Sequence, residues 1–234
     1  MMKTLIMIPA FGCDGRLYQP QMASLAESVR IQIIIPTATR YELMVAEVLR
    51  EAPDEFAILG TSMGGRLALE VALAAPDRVT GLCVIGAGAG AVIDQAAGLR
   101  RSQRIRSGER NEVVAEMAAM IAHEAGPRGT STRQAFIEMA MDFDLESLAR
   151  QSDALAHRVD RWDELEDVES LTLCLWGVHD KFSPPEDGLR IAESVEMGSF
   201  IELPDCGHFP TLEYPDEATA AIAMWLEDID DVEV

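Results

Sequence analysis

Six short, almost purely apolar runs, each cut off by Gly or Pro and most followed by a stretch of helical spacing, restrict this chain to very few folds. The runs are "KTLIMIPA", "IQIIIPTAT", "FAILGTS", "VTGLCVIGAG", "LTLCLWGVHD" and "SFIELPDCGH". Strands exposed on one face alternate apolar and polar residues, whereas strands buried on both faces do not. Helical patterns lie at Leu17–Val29, Glu42–Glu51, Arg66–Ala75, Glu186–Val195 and Glu217–Ile229. Strands alternating with helices predict βαβ units, and so an α/β protein with about six parallel strands covered on both faces. The last nine residues, "LEDIDDVEV", are acidic and expected to fray.

One segment breaks the alternation. From Ala91 to Asp163 no strand is evident. "NEVVAEMAAMIAHEA", "TSTRQAFIEMAMDF" and "DLESLARQSDAL" read as helices, the first two separated by Gly126-Pro127 and Gly129. The expected organisation is a core made of residues 1–90 and 164–234, with residues 91–163 inserted after the fourth strand. Charge marks the same segment. Val92 to Trp162 holds ten arginines against eleven acids, whereas the rest of the chain carries a net −20. Five of those arginines fall between Arg100 and Arg110.

The net charge of −21 over 234 residues opposes binding to nucleic acid or to an anionic membrane. No apolar run approaches the ~20 residues that span a bilayer. "MMKTLIMIPAFG" reads as a first strand rather than a signal peptide, because its apolar stretch is short and ends at Pro9. Cys13, Cys83, Cys174 and Cys206 show no metal-ligand spacing. Reduced thiols in a cytoplasmic protein are expected. Cys13 and Cys206 lie close to loops that carry chemistry, where they are either thiol-sensitive groups or inert fillers of packed turns.

"GTSMGG" (Gly60–Gly65) contains the G-x-S-x-G pattern, which arises by chance in roughly one chain in ten of this length. Its context narrows the reading. Ser62 ends the third strand run and precedes the helix Arg66–Ala75, on the edge of an α/β sheet where ligands bind. A serine becomes a nucleophile only when a base removes its proton. The chain has four histidines. His123 and His157 sit in helical patterns of the insertion. His179 and His208 lie at the carboxyl ends of the fifth and sixth strands, on the rim that carries Ser62. In "WGVHDKFSPPE", Asp180 suits the acid that orients an imidazole, with Asp187 and Asp205 as competitors. The order Ser62, Asp180, His208 is that of an α/β-hydrolase triad.

Four motifs therefore carry a resemblance over nearly the whole chain: "PAFGCDG", "GTSMGG", "GVHDKFSP" and "CGHFPTLEYPDE". The sequence resembles the α/β-hydrolase superfamily, and within it the small bacterial carboxylesterases, 3-oxoadipate enol-lactonases and methyl ester esterases. The resemblance implies a helical lid at residues 91–163 and no metal or organic cofactor. Its reaction is cleavage of a small-molecule carboxylic ester through an acyl-enzyme on Ser62. Enol-lactonase, thioesterase and C–C bond hydrolase activities share the fold. A non-catalytic binding protein would not need all three triad residues. The backbone N–H of Met63 is expected to serve an oxyanion hole as the residue after the nucleophile, and that of Phe11 by resemblance. Met117, Met120, Phe136, Met139 and Phe143 are candidates for an adaptable apolar pocket, against a role in the lid's own core. The Arg100–Arg110 cluster is either a solvated helix face or a site for a substrate carboxylate. Two features depart from the family. Pro9-Ala10 stands where His-Gly is common, and the opening antiparallel hairpin is missing, which leaves six strands rather than eight.

Overall fold

The computed structural model describes residues 2–232. The first half alternates strictly: β1 (Thr4–Ile8), α1 (Gln19–Leu25), β2 (Arg30–Ile33), α2 (Tyr41–Glu51), β3 (Phe56–Thr61), α3 (Met63–Ala74) and β4 (Val79–Ile85). Four helices follow with no strand between them: α4 (Gln95–Arg106), α5 (Arg110–Ile121), α6 (Gly129–Asp142) and α7 (Leu145–Ala156). The alternation then resumes with β5 (Leu171–Gly177), α8 (Pro185–Ser194), β6 (Gly198–Leu203), α9 (Pro210–Glu213) and α10 (Pro215–Val232). α4 is an element that the sequence pattern did not set apart.

The six strands are all parallel, in the order β2-β1-β3-β4-β5-β6. The chain runs outward from β1 to β2, then returns to the other side of β1 for β3. The sheet's direction of growth therefore reverses at β1/β3, where a crevice opens beyond the carboxyl ends of the strands.

The strand runs are continuously apolar because both faces of the sheet are covered. Ile6 and Ile8 of β1 join Ile58, Leu82, Val84 and Trp176 under α2, α3 and α8. The alternate residues Leu5 and Met7 join Ala57, Leu59, Cys83 and Ile85 under α1 and α10. The two-residue period of a strand sends neighbours to opposite cores, and here both cores are apolar.

The described part of the acidic tail is helical: α10 continues to Val232, and Trp225, Leu226 and Ile229 bury its inner face against the sheet. The spacing of those three residues is helical, so burial holds the turns that the outward-facing acids would otherwise weaken. Residues 233–234 lie outside the described part. No helix among the described residues is long and apolar enough to cross a membrane.

Candidate active site

β3 passes into α3 through a single-residue turn at Ser62. Ser62 has φ 57° and ψ −117°, the one positive φ at a non-glycine residue among those described. Such a conformation costs on the order of 1–3 kcal/mol and persists only where its surroundings enforce it. Here Ser62 N–H donates to Ile85 O of β4 at 2.7 Å, and Ser62 O accepts from Arg66 N at 2.9 Å. Two glycines make the turn possible. A Cβ at Gly60 would collide with the Gly64 carbonyl, and one at Gly64 with the carbonyl of Ile8. The strand therefore passes straight into α3, with the serine at the helix's positive end.

His208 and Asp180 meet beside this turn. His208 Nδ1 lies 2.7 Å from Asp180 Oδ2, and both side chains are essentially fully buried. A carboxylate only accepts, so Nδ1 carries the proton and Nε2 is left as the acceptor. Asp180 is itself held: its Oδ1 accepts from the backbone N–H groups of Phe182 at 2.8 Å and Ser183 at 3.1 Å. The two acids that competed for this role are elsewhere. Asp187 accepts from the Ser183 hydroxyl at 3.2 Å, and Asp205 is exposed beside His123 and His179. The backbone N–H of His208 donates to Ile121 O, so the end of α5 anchors the loop that carries the imidazole. Among the described residues Ser62 Oγ has no hydrogen-bond partner, and His208 and Ser62 line one cleft.

Met63 and Phe11 line that cleft, and their backbone N–H groups have no protein partner among the described residues. Met63 N–H is the first of α3, where no earlier turn exists to accept it. Phe11 N–H is the second, in the turn after β1. The next amide, Gly12 N–H, is taken by Gln151 Oε1 at 3.0 Å. Gln151 is fully buried, comes from α7, and donates its own amide to Pro36 O at 3.0 Å. It thereby pins the Phe11–Gly12 turn between the sheet and the helical segment.

The cleft holds about 810 Å³ and is lined by Phe11, Ser62, Met63 and His208 below, and by the helical segment above. Of the five apolar pocket candidates, Met117, Met120 and Phe136 line it. Met139 and Phe143 do not. Met139 lies one turn beyond Phe136 on α6, about 4.5 Å along the axis, and is buried in the core under α1 and α10. Phe143 is the extended residue just past α6 and packs against the core under α2, α3 and α8. The arginine cluster is also mostly accounted for. Arg104 pairs with Glu109 and Glu116, Arg106 with Glu146 and Asp153, and Arg100 with Asp94. Arg110 donates to Phe143 O. The four thiols are free and buried, and burial raises the pKa of each, so the thiolate that thiol reagents attack is suppressed. Cys13 and Cys206 are fillers of packed turns.

The sequence profile of the alpha/beta hydrolase family matches residues 7–222, which takes in the end of β1, the serine turn and the His208 loop. The chain belongs to the alpha/beta hydrolase family. Among curated relatives, a 2-hydroxy-6-oxononadienedioate/2-hydroxy-6-oxononatrienedioate hydrolase of Pseudomonas putida is 27% identical over 201 residues, covering 78% of this chain and 68% of that protein. A pimeloyl-[acyl-carrier protein] methyl ester esterase of Aliivibrio salmonicida is 34% identical over 90 residues, and the match spans only 34% of its length. Among solved structures, a thermophilic esterase from Thermogutta terrifontis superposes with a TM-score of 0.88 at 24% identity, over 97% of this chain and 90% of that one. The enol-lactonase from Burkholderia xenovorans LB400 reaches 0.86 at 18% identity, over 97% and 92%. At these identities the two structures share the fold.

This hydrolase uses three supporting residues that sequence reasoning passed over. Gly86, at the end of β4, has φ +61° and faces the His208–Asp180 pair. A Cβ there would sit 3.1 Å from both Asp180 Oδ2 and His208 Nδ1. Its only signal was a glycine at a strand's carboxyl end. Glu213 was visible as the acid of "GHFPTLEYP". Its buried carboxylate accepts from Gly207 N–H and His123 N–H at 2.9 Å and from Phe209 N–H at 3.2 Å, which clamps both sides of His208. Gln151 had no signal, because one amide on an amphipathic helix looks like any other.

Proposed function

We propose that this hydrolase cleaves carboxylic esters of small to medium acyl or alcohol groups through a Ser62–His208–Asp180 triad. The observation that carries the reading is the buried 2.7 Å contact between Asp180 and His208, which opens onto the cleft that holds Ser62 in its strained turn. His208 Nε2 takes the proton of Ser62 as the hydroxyl attacks the ester carbonyl. Asp180 stays ionised and stabilises the imidazolium that forms. The N–H groups of Phe11 and Met63 hold the oxyanion, and loss of one such donor costs ~3 kcal/mol of barrier. His208 then protonates the leaving alcohol, and water repeats the sequence on the acyl-enzyme. No step calls for a metal or organic cofactor.

Residues 91–163 act as a lid in this reading. Met117, Met120 and Phe136 are its contribution to the acyl pocket. The buried free thiols suit a reducing compartment, and a cytoplasmic location belongs to the same proposal. The names of the relatives favour a second reading within the fold, cleavage of an enol-lactone or of a C–C bond next to a carbonyl, using the same serine and histidine.

A panel of p-nitrophenyl esters, lactones and thioesters, with Ser62→Ala as control, tests both readings. Ester turnover that vanishes in Ser62→Ala, together with covalent labelling of Ser62 by a fluorophosphonate, is the expected result. Turnover of no ester, with no labelling, would sink the triad reading in favour of a binding protein. Lactone turnover without ester turnover would favour the second reading.

A further inference from the structure

The cleft wall holds more positive charge than its acids neutralise. Four arginines and three acids line it. Arg100 pairs with Asp94, and Arg104 with Glu116. Arg101, Arg158 and Asp187 remain. Neither Arg101 nor Arg158 forms an ion pair with any carboxylate among the described residues. Arg101 spends only its Nε, on the Ser152 hydroxyl at 2.8 Å. Its guanidinium lies 5.3 Å from the ring centroid of Phe11, which lines the same cleft as Ser62. Arg158 is poorer still. Among the described residues its Nε is buried with no partner, and the guanidinium's one hydrogen bond is a long, exposed 3.4 Å contact from Nη2 to Ala91 O.

The structural arginines of this chain look quite different. Arg66, fully buried, spends all three nitrogens on Glu70 and three backbone carbonyls. Arg161 pairs with Glu70 and Glu164. A guanidinium partly removed from water and left without a carboxylate partner is costly, and a wall that keeps two of them is arranged for an anion that comes from outside. Both line the same cleft as Ser62 and His208, and both are only partly exposed. Burial lowers the pKa of both guanidinium groups from the ordinary value.

We infer that Arg101 and Arg158 form a carboxylate-binding subsite, and that the ester cleaved at Ser62 carries a free carboxylate, as a half-ester of a dicarboxylic acid does. The planar guanidinium matches a carboxylate in a two-point contact. Once the two ion pairs are set aside, two positive groups and Asp187 leave about one net positive charge, which favours a monoanion over a phosphate dianion. The reacting bond in this inference rests on the proposed ester hydrolysis. The binding subsite does not.

The test has a binding arm and a turnover arm. In the binding arm, the diacids from succinate to pimelate, and inorganic phosphate, are titrated into Ser62→Ala by calorimetry. At least one diacid should bind, more tightly than phosphate, and Arg101→Met and Arg158→Met in that background should each weaken it by about 10–100-fold, the worth of a charge-assisted hydrogen bond. In the turnover arm, monomethyl and dimethyl esters of that diacid are compared. Each Arg→Met change should raise KM for the half-ester by a similar factor and leave the neutral diester within about 3-fold. Arg101→Lys, which keeps the charge but not the fork, should fall between wild type and Arg101→Met. Equal losses on both esters would mark the arginines as structural and overturn the subsite, as would phosphate binding more tightly than every diacid. Diacid binding through the arginines without turnover of any ester would keep the subsite and remove the esterase reading. Ester turnover with no half-ester preference would do the reverse.

Discussion

Gly86→Ala separates backbone strain from damage to the acid–base pair. Gly86 sits at φ +61°, and an added Cβ would lie 3.1 Å from Asp180 Oδ2, 3.1 Å from His208 Nδ1 and 3.2 Å from His208 Cε1. Two costs follow. An alanine in the left-handed region loses ~1–2 kcal/mol. That lowers Tm by about 2–8 °C, at 2–4 °C per kcal/mol for a chain of this size. The second cost is geometric. The buried pair must yield by a few tenths of an ångström, and neither group can swing into solvent. If ~1 Å of misplacement costs about 100-fold in rate, then ~0.3 Å costs about 4-fold. Gly108→Ala is the control. Gly108 has φ +97°, and a Cβ there meets nothing within 4 Å. It should lose comparable stability and no rate. Calorimetry gives Tm, and the rate of Ser62 labelling by a fluorophosphonate reads the acid–base pair without assuming a substrate. If Gly86→Ala loses stability as Gly108→Ala does and labels at the wild-type rate, the contact with the pair has no catalytic meaning.

Arg66→Met removes the buried group that ties α3 to both ends of the helical segment, at Ala89, Gly90 and Val159. Glu70 keeps Arg161 but loses its fully buried partner, so a loss of about 3–5 kcal/mol is expected in urea unfolding. A loss under about 1 kcal/mol would show the network to be dispensable. Tyr41 gives a prediction in pH. Its hydroxyl is buried without a partner, and burial raises its pKa to about 12. Below pH 10 the tyrosine is neutral in both states. Between pH 10 and 12 the unfolded chain ionises it first, so the folded state loses on the order of 2–3 kcal/mol as pH rises. Tyr41→Phe should match or exceed wild-type stability at pH 7, and its advantage should grow through that window. A constant difference would refute the assignment.

The sheet was legible because burial on both faces writes itself locally, as apolar runs ended by Gly or Pro. The sharp turn at "GTSMGG" was legible for a related reason. A strand-to-helix turn sharp enough to present Ser62 requires glycines at fixed offsets, and Gly60 and Gly64 are those glycines. Asp180 and His208 could be placed on the same rim because every strand of a parallel sheet ends there. What could not be read was anything that depends on distance across the fold. Asp180 was the favoured acid, but Asp187 and Asp205 stayed competitors until the 2.7 Å contact set them apart. Five arginines in eleven residues looked like one feature. Folding spent three of them on nearby acids and left Arg101 facing the cleft with Arg158, which comes from outside the cluster. By itself the sequence determined the strands, the turn and the types of reacting group, because those depend on neighbours along the chain. Only the tertiary structure decided which acid holds the histidine, which apolar side chains reach the cleft and which charges stay unpaired, because each depends on partners brought together by packing.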